Sequence, residues 1–205
     1  MGTVRTKLFE YTQAEMDYLT KVDPQLGAAM ARMGKIERVI IPDLFAALIH
    51  AIVGQLISAK AAATVWERMQ KRLGEITPLN LTRHSTEDIQ ACGLTMKKAN
   101  CIHAISSTIA EGAFLLEEIR DLPDREVIQK LTKLHGVGIW TAEMLLINCL
   151  ERRDVVSWGD IAIRRGMMKL HGLDTITKEQ FEKYRQRYSP LGSIASIYLW
   201  EISFD

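Results

Sequence analysis

The stretch Leu134-His135-Gly136-Val137-Gly138-Ile139-Trp140-Thr141-Ala142 carries the reading of this chain. It lies between an amphipathic segment, with Val127, Ile128 and Leu131 at helical spacing, and an apolar one holding Met144, Leu145 and Leu146. Two glycines around one aliphatic residue permit a tight turn with positive φ and bare the backbone amides to an approaching anion. The helix that opens behind them adds the partial positive charge of its N-terminus. Such a turn binds a phosphate without any excess of basic side chains. Taken as a bare G-x-G, the same residues simply join two packed helices, so the decision rests on what surrounds them.

Working outward, the periodicity is helical almost everywhere, and β-branched alternation is confined to Val39-Ile40-Ile41 before Pro42. An all-α fold follows. Thr12 with Glu15 forms a capping-box pattern, and Asp23-Pro24 reads as an N-cap followed by a first-turn proline. Pro42-Asp43 opens the run Leu44 to Val53, apolar around most of its circumference and therefore a buried central helix that Gly54 ends. Ser58 caps a helix through Ala62, Val65 and Met69 that closes near Gly74. A polar connection from Pro78 to His84 leads to a short helix near Ser85, and a longer helix runs from Met96 to Gly112. Further helices are expected from Asp124, from Thr141 to Leu150, from Asp160 to Leu170, from Lys178 to Tyr188 and from Pro190 to Ile202. No low-complexity linker interrupts this order, which predicts interleaved lobes: residues 1–42 with 155–205, and residues 43–154.

Composition narrows the function without naming it. The 205 residues suffice for one large domain or two small lobes. Lysine and arginine number 26 against 25 acidic residues, a net charge of +1 that lacks the strongly basic signature of many nucleic-acid binders. The three cysteines, Cys92, Cys101 and Cys149, are too few and too scattered for a disulfide framework or a metal cluster, which favours reduced thiols in a cytosolic compartment. The N-terminal residues lack a signal-peptide core and no run reaches membrane-span length, so the chain is expected to be soluble and cytoplasmic.

With its flanks, the glycine turn closely resembles the helix-hairpin-helix of the DNA glycosylase superfamily, here within about residues 128–150. That superfamily places a catalytic aspartate about twenty residues beyond its hairpin. Asp154-Val155-Val156-Ser157-Trp158-Gly159-Asp160-Ile161-Ala162-Ile163-Arg164-Arg165 occupies the corresponding segment, with Asp160 at the catalytic position and Asp154 at a structural one. The resemblance is closest to compact, bacterial-type DNA-3-methyladenine glycosylase II enzymes, over roughly residues 40–202. It implies two helical lobes with the active-site cleft between them, and a monomer acting on double-stranded DNA that contains damaged bases, in a bacterium at the nucleoid.

The resemblance also distributes roles. His135, Gly136, Val137, Gly138, Ile139 and Thr141 form the DNA-binding hairpin, whose carbonyls the family pattern allows to hold a monovalent cation. Trp140, Met144 and Trp200 fall at base-pocket positions, where core packing is the competing role. In Val53-Gly54-Gln55-Leu56-Ile57-Ser58, Leu56 is the apolar wedge that fills the gap left by an extruded base, and Gln55 contacts exposed base edges. Ser58, Lys97, Lys98, Arg164 and Arg165 are candidate phosphate contacts, each equally suited to an ordinary surface or capping role. At the C-terminal Pro-x-x-Ser segment, relatives often carry an arginine where this chain has Gly192.

Chemically, a carboxylate beside the anomeric carbon stabilises the oxocarbenium-like transition state of base release. On its own, Asp160 reads as a helix N-cap, and it is the hairpin upstream that turns the reading to a catalytic role. Strand-nicking relatives resembling endonuclease III carry a lysine two residues after the second hairpin glycine, where this chain has Trp140. They also ligate an iron–sulfur cluster through grouped C-terminal cysteines, and this chain has none beyond Cys149. The expectation is therefore a monofunctional, cofactor-free glycosylase for alkylated purines of the 3-methyladenine type. Glycosylases for hypoxanthine, uracil or mismatched pyrimidines use the same parts, and a non-catalytic DNA-structure binder keeps only the hairpin.

Overall fold

A computed structural model describes residues 4–204. Along the chain it runs α1 (Gln13–Val22), α2 (Pro24–Met33), α3 (Leu44–Gly54), α4 (Ala59–Leu73), α5 (Pro78–Leu81), α6 (Thr86–Gln90) and α7 (Met96–Ala110). After a 3-10 turn at Leu116–Asp121 come α8 (Asp124–Leu131), α9 (Ile139–Asn148), α10 (Ile161–His171), α11 (Lys178–Tyr188) and α12 (Gly192–Ile202). The strands β1 (Lys7–Leu8) and β2 (Val39–Ile40) form a two-stranded pair, the only sheet among the described residues. No helix among them is long and apolar enough to cross a membrane.

The chain divides into two compact units, one formed by Ile40–Leu150 with the described residues up to Lys7, the other by Leu8–Val39 with Glu151 onward. The divisions thus fall at 39/40 and 150/151, and residues 4–7 join the central unit.

In the central unit, α3 is the axis. Eight of its first nine residues have no polar side chain, and all but His50 of Leu44–Val53 are buried. It packs against α4, α7 and α9. His50, the exception, meets Trp66 of α4 edge to face at 5.0 Å. The α4 helix turns Ala62, Val65, Met69 and Leu73 inward at the i, i+3, i+7 spacing of one apolar stripe. In the terminal unit α12 is buried nearly all round and lies against α10. The approach is so close that a Cβ on Gly166 would sit 1.9 Å from the Leu199 carbonyl oxygen.

Helix starts follow local chemistry. Thr12 and Glu15 complete the capping box of α1, Asp23 caps α2 through the amides of Gln25 and Leu26, and Asp43 caps α3. Ser58 caps α4 and Ser85 caps α6. The polar connection expected from Pro78 to His84 instead contains α5, because Thr77 accepts from the Asn80 amide just ahead of a favourable N1 proline. The ninth helix starts at Ile139 rather than Thr141, since its cap is Gly138 itself.

Candidate functional site

The hairpin joins α8 to α9 within the central unit. Gly136 has φ +78°, and a Cβ there would stand 2.5 Å from Cys101 Sγ, so the position is closed to a side chain both by conformation and by space. Gly138 departs from the expectation of positive φ: its backbone is extended, at φ −94° and ψ 176°. A Cβ on Gly138 would meet nothing within 4 Å, so nothing inside the chain requires glycine there. A bare, open N-cap is what close approach of an external group needs, and Gly138 supplies no side-chain acceptor to the first turn of α9.

The residues assigned to the hairpin divide by exposure. His135, Gly136, Gly138 and Ile139 face outward, Ile139 with 61% of its surface exposed. Val137 and Thr141 are buried, which gives them supporting rather than contacting positions. The Cys101 thiol donates to the His135 carbonyl at 3.0 Å, and Gln55 Nε2 donates to the Gly136 carbonyl at 3.1 Å. Two hairpin carbonyls therefore each accept one hydrogen bond from within the chain.

Gln55 and Leu56 form the turn between α3 and α4. Leu56 has φ +58° and is 98% exposed. A left-handed backbone at a non-glycine residue costs about 1–2 kcal/mol, and a fully exposed leucine recovers none of it by burial. Gln55 does not reach outward as expected of a residue reading base edges. Its amide nitrogen also donates to Thr141 Oγ1 at 2.9 Å, and these two bonds tie it to the hairpin. Lys98 likewise departs from a phosphate-contact role: its Nζ donates to the carbonyls of Val53 at 2.7 Å and Gln55 at 2.6 Å. Burial lowers the pKa of this ammonium. Ser58 Oγ accepts the Ala61 amide as the α4 cap, while Lys97 remains exposed.

In the terminal unit, Asp160 is 7% exposed and caps α10. One carboxylate oxygen, Oδ1, accepts both the Ala162 and the Ile163 amides at 2.9 Å. Those two bonds fix the orientation of the carboxylate at the N-terminus of the helix. Asp154 is built differently. Its Oδ2 accepts from Ser189 Oγ at 2.5 Å and its Oδ1 from the Gly192 amide at 3.1 Å, so both oxygens brace the start of α12. The site is tight: a Cβ on Gly192 would come within 2.7 Å of Asp154 Oδ1 and 2.8 Å of Val156 Cγ2.

Trp200 is 7% exposed, and the Arg38 guanidinium lies 4.3 Å from its ring centroid. Burial pulls the pKa of Arg38 below the usual arginine range, while the Glu201 and Asp160 carboxylates pull it back. Arg38 thus adds a cation to the surroundings of Asp160 that sequence reasoning missed; a lone arginine before Val39 carries no motif. Arg164 is not a free phosphate ligand: its guanidinium lies 4.8 Å from the Trp158 ring centroid, and its Nε is buried without a hydrogen-bond partner. Arg165 is exposed. Trp140, half-buried, and Met144, 6% exposed, belong to the central unit, whereas Asp160 and Trp200 belong to the terminal one. The three cysteines are buried and none is in a disulfide, and no group of three or more His, Cys, Asp or Glu side chains is placed to hold a metal among the described residues.

Comparison with known proteins bears on these parts together. Residues 49–190 match the family model described as HhH-GPD superfamily base excision DNA repair protein, a span that includes Gln55, Leu56, the hairpin and Asp160. The chain is 34% identical over 161 residues to DNA-3-methyladenine glycosylase 1 of Schizosaccharomyces pombe, covering 76% of this chain and 71% of that protein. Among solved structures, the Schizosaccharomyces pombe 3-methyladenine DNA glycosylase in complex with abasic DNA superposes with a TM-score of 0.81 at 28% identity, over 92% of this chain and 96% of that one. A DNA-3-methyladenine glycosidase from Bacillus halodurans superposes with a TM-score of 0.75, also at 28% identity, over 97% and 92%. With more than half its length matched by the family model, this chain belongs to the HhH-GPD superfamily of base excision DNA repair proteins.

Proposed function

We propose that this chain is a monofunctional DNA glycosylase that hydrolyses the N-glycosidic bond of alkylated purines of the 3-methyladenine type. The observation that carries the reading is Asp160, a buried carboxylate oriented by two backbone amides, in a chain that also presents a bare glycine hairpin. The relatives named for 3-methyladenine supply the lesion class.

In this reading the hairpin amides and the N-terminus of α9 hold a backbone phosphate, and Leu56 enters the base stack as the damaged nucleotide swings out. An alkylated purine carries a positive charge, so it departs with the bonding electron pair as a neutral base and needs no proton donor. The sugar is left as an oxocarbenium-like cation, which the Asp160 carboxylate stabilises. Water adds at the anomeric carbon, its proton passes to the carboxylate or to solvent, and an abasic site remains. Trp140 occupies the place where strand-nicking relatives hold their amine, so no Schiff base forms. Binding to DNA makes a cytoplasmic, nucleoid-associated location the natural one.

The test is release of free base from methylated, hypoxanthine-containing and uracil-containing duplexes by the wild type and by Asp160→Asn. The reading expects release from the methylated duplex, lowered on the order of a hundredfold or more in the variant. Release only from one of the other duplexes reassigns the lesion. A covalent adduct trapped by borohydride removes the monofunctional assignment.

A further inference from the structure

Leu56 pairs an unfavourable backbone conformation with almost complete exposure, and the local bonds across its turn are long ones, Gln55 N–H to Ile52 O at 3.2 Å and Ile57 N–H to Gly54 O at 3.5 Å. Shorter bonds to the same turn come from α7. Lys98 Nζ reaches the C-terminal end of α3 and bonds the carbonyls of Val53 and Gln55, the second of which belongs to the peptide that leads into Leu56. A cation is the favourable partner there, because the last carbonyls of a helix lack intrahelical donors and carry partial negative charge. Gln55 is held from its other end as well, its side-chain amide bonded to Gly136 O and Thr141 Oγ1. The peptide before the wedge is therefore clamped by α7 through its backbone and by the hairpin through its side chain.

We propose that Lys98 is a positioning residue for base extrusion: it fixes the left-handed turn that projects Leu56, and through Gln55 it makes wedge and hairpin one rigid unit. Lys98 itself need touch neither the damaged base nor the sugar. This inference rests on the wedge role given to Leu56 under the proposed function, but not on the identity of the lesion or on Asp160.

The test separates it from the hydrolytic reading by using no chemistry. A duplex containing a tetrahydrofuran abasic analogue opposite 2-aminopurine reports unstacking by fluorescence when saturating protein binds. Wild type should raise the signal, and Leu56→Ala should abolish most of the rise. Lys98→Met should lose the same share, and the double variant should lose no more, since residues acting through one another are not additive. Lys98→Arg, which keeps a cation and donors, should restore most of the signal. Removing charge-assisted hydrogen bonds should also cost roughly tenfold in base release from duplex DNA. Thermal unfolding of each variant confirms that folded protein is compared, and Leu56→Ala, at an exposed site, provides a folded reference.

A wild-type fluorescence rise with Lys98→Met, or losses from Lys98→Met and Leu56→Ala that multiply in the double variant, would overturn the proposal. A wild type that gives the fluorescence rise without releasing any base would overturn the glycosylase reading and leave the positioning role intact. A wild type that binds without any rise would remove the wedge and the positioning role together.

Discussion

Cys101 lies directly beneath Gly136: the space for a Cβ on the glycine is taken by the thiol sulfur, 2.5 Å away, while that thiol donates to the neighbouring carbonyl of His135 at 3.0 Å. The hairpin therefore rests on α7 through a contact that only a glycine above and a small side chain below can make.

Gly136→Ala should accordingly lower stability by about 2 kcal/mol, from left-handed strain and overpacking together. Adding Cys101→Ala should recover the packing part but not the strain at φ +78°. Gly138→Ala should leave the fold nearly unchanged, since its Cβ meets nothing within 4 Å, yet weaken DNA binding by obstructing the N-terminus of α9. Thermal unfolding and titration with an abasic-analogue duplex distinguish the three; unimpaired DNA binding by Gly138→Ala contradicts the open-cap argument.

The two aspartates should separate stability from chemistry. Asparagine is as good an N-cap as aspartate, so Asp160→Asn should unfold near the wild-type temperature while losing base release. Asp154→Asn should unfold earlier, by about 1–3 kcal/mol, because the amide replaces one of two acceptors serving Ser189 and Gly192. Its loss of activity should follow the unfolded fraction. Full base release by Asp160→Asn, or a specific catalytic loss in folded Asp154→Asn, reverses the assignment.

Leu56 should trade stability against function. Leu56→Gly relieves a left-handed leucine and should stabilise the protein by up to about 1 kcal/mol while lowering activity on duplex DNA. Activity on duplexes whose damaged base is already unpaired should fall less, because less unstacking is needed. Equal losses on both substrates would place the defect elsewhere.

A buried histidine sets a pH limit on the terminal unit. His171 Nδ1 meets Gln25 Oε1 at 2.5 Å, Nε2 lies 3.2 Å from Tyr188 Oη and 3.4 Å from Asp23 Oδ2, and the ring stacks on Tyr184 at 3.9 Å. Burial lowers its pKa from 6.5, aided by Arg187, with Asp23 opposing. The folded state therefore binds fewer protons than the unfolded state just below pH 6.5, and the stability this group contributes is present above that pH and lost as pH falls toward the folded value. The melting temperature should drop with acid across this window in wild type and drop less in His171→Gln. Identical pH profiles for the two proteins would exclude His171 as the cause.

Much of the fold was legible because its signals are local. Thr12 with Glu15, Asp23, Asp43, Ser58 and Ser85 each mark a helix start through a bond to an amide two or three residues on, and Asp160 does the same for α10. Such chemistry is complete within one turn of chain. The helical spacing of Ala62, Val65, Met69 and Leu73 fixes which face is buried for the same reason.

What the sequence alone determined, then, was the helical class, most helix boundaries, and the coexistence of a glycine turn with a downstream capping aspartate. Tertiary structure decided the rest: that Gly136 and not Gly138 takes positive φ, that Lys98 and Gln55 face inward, that Arg164 lies on Trp158, and that Arg38 stacks on Trp200. Those outcomes depend on partners far along the chain, with Lys98 bonding a carbonyl 45 residues away and Gln55 a hydroxyl 86 residues away. A side chain's local spacing states which helix it rides on, but its direction is set by whichever distant donor or acceptor the packing of helices brings within 3 Å.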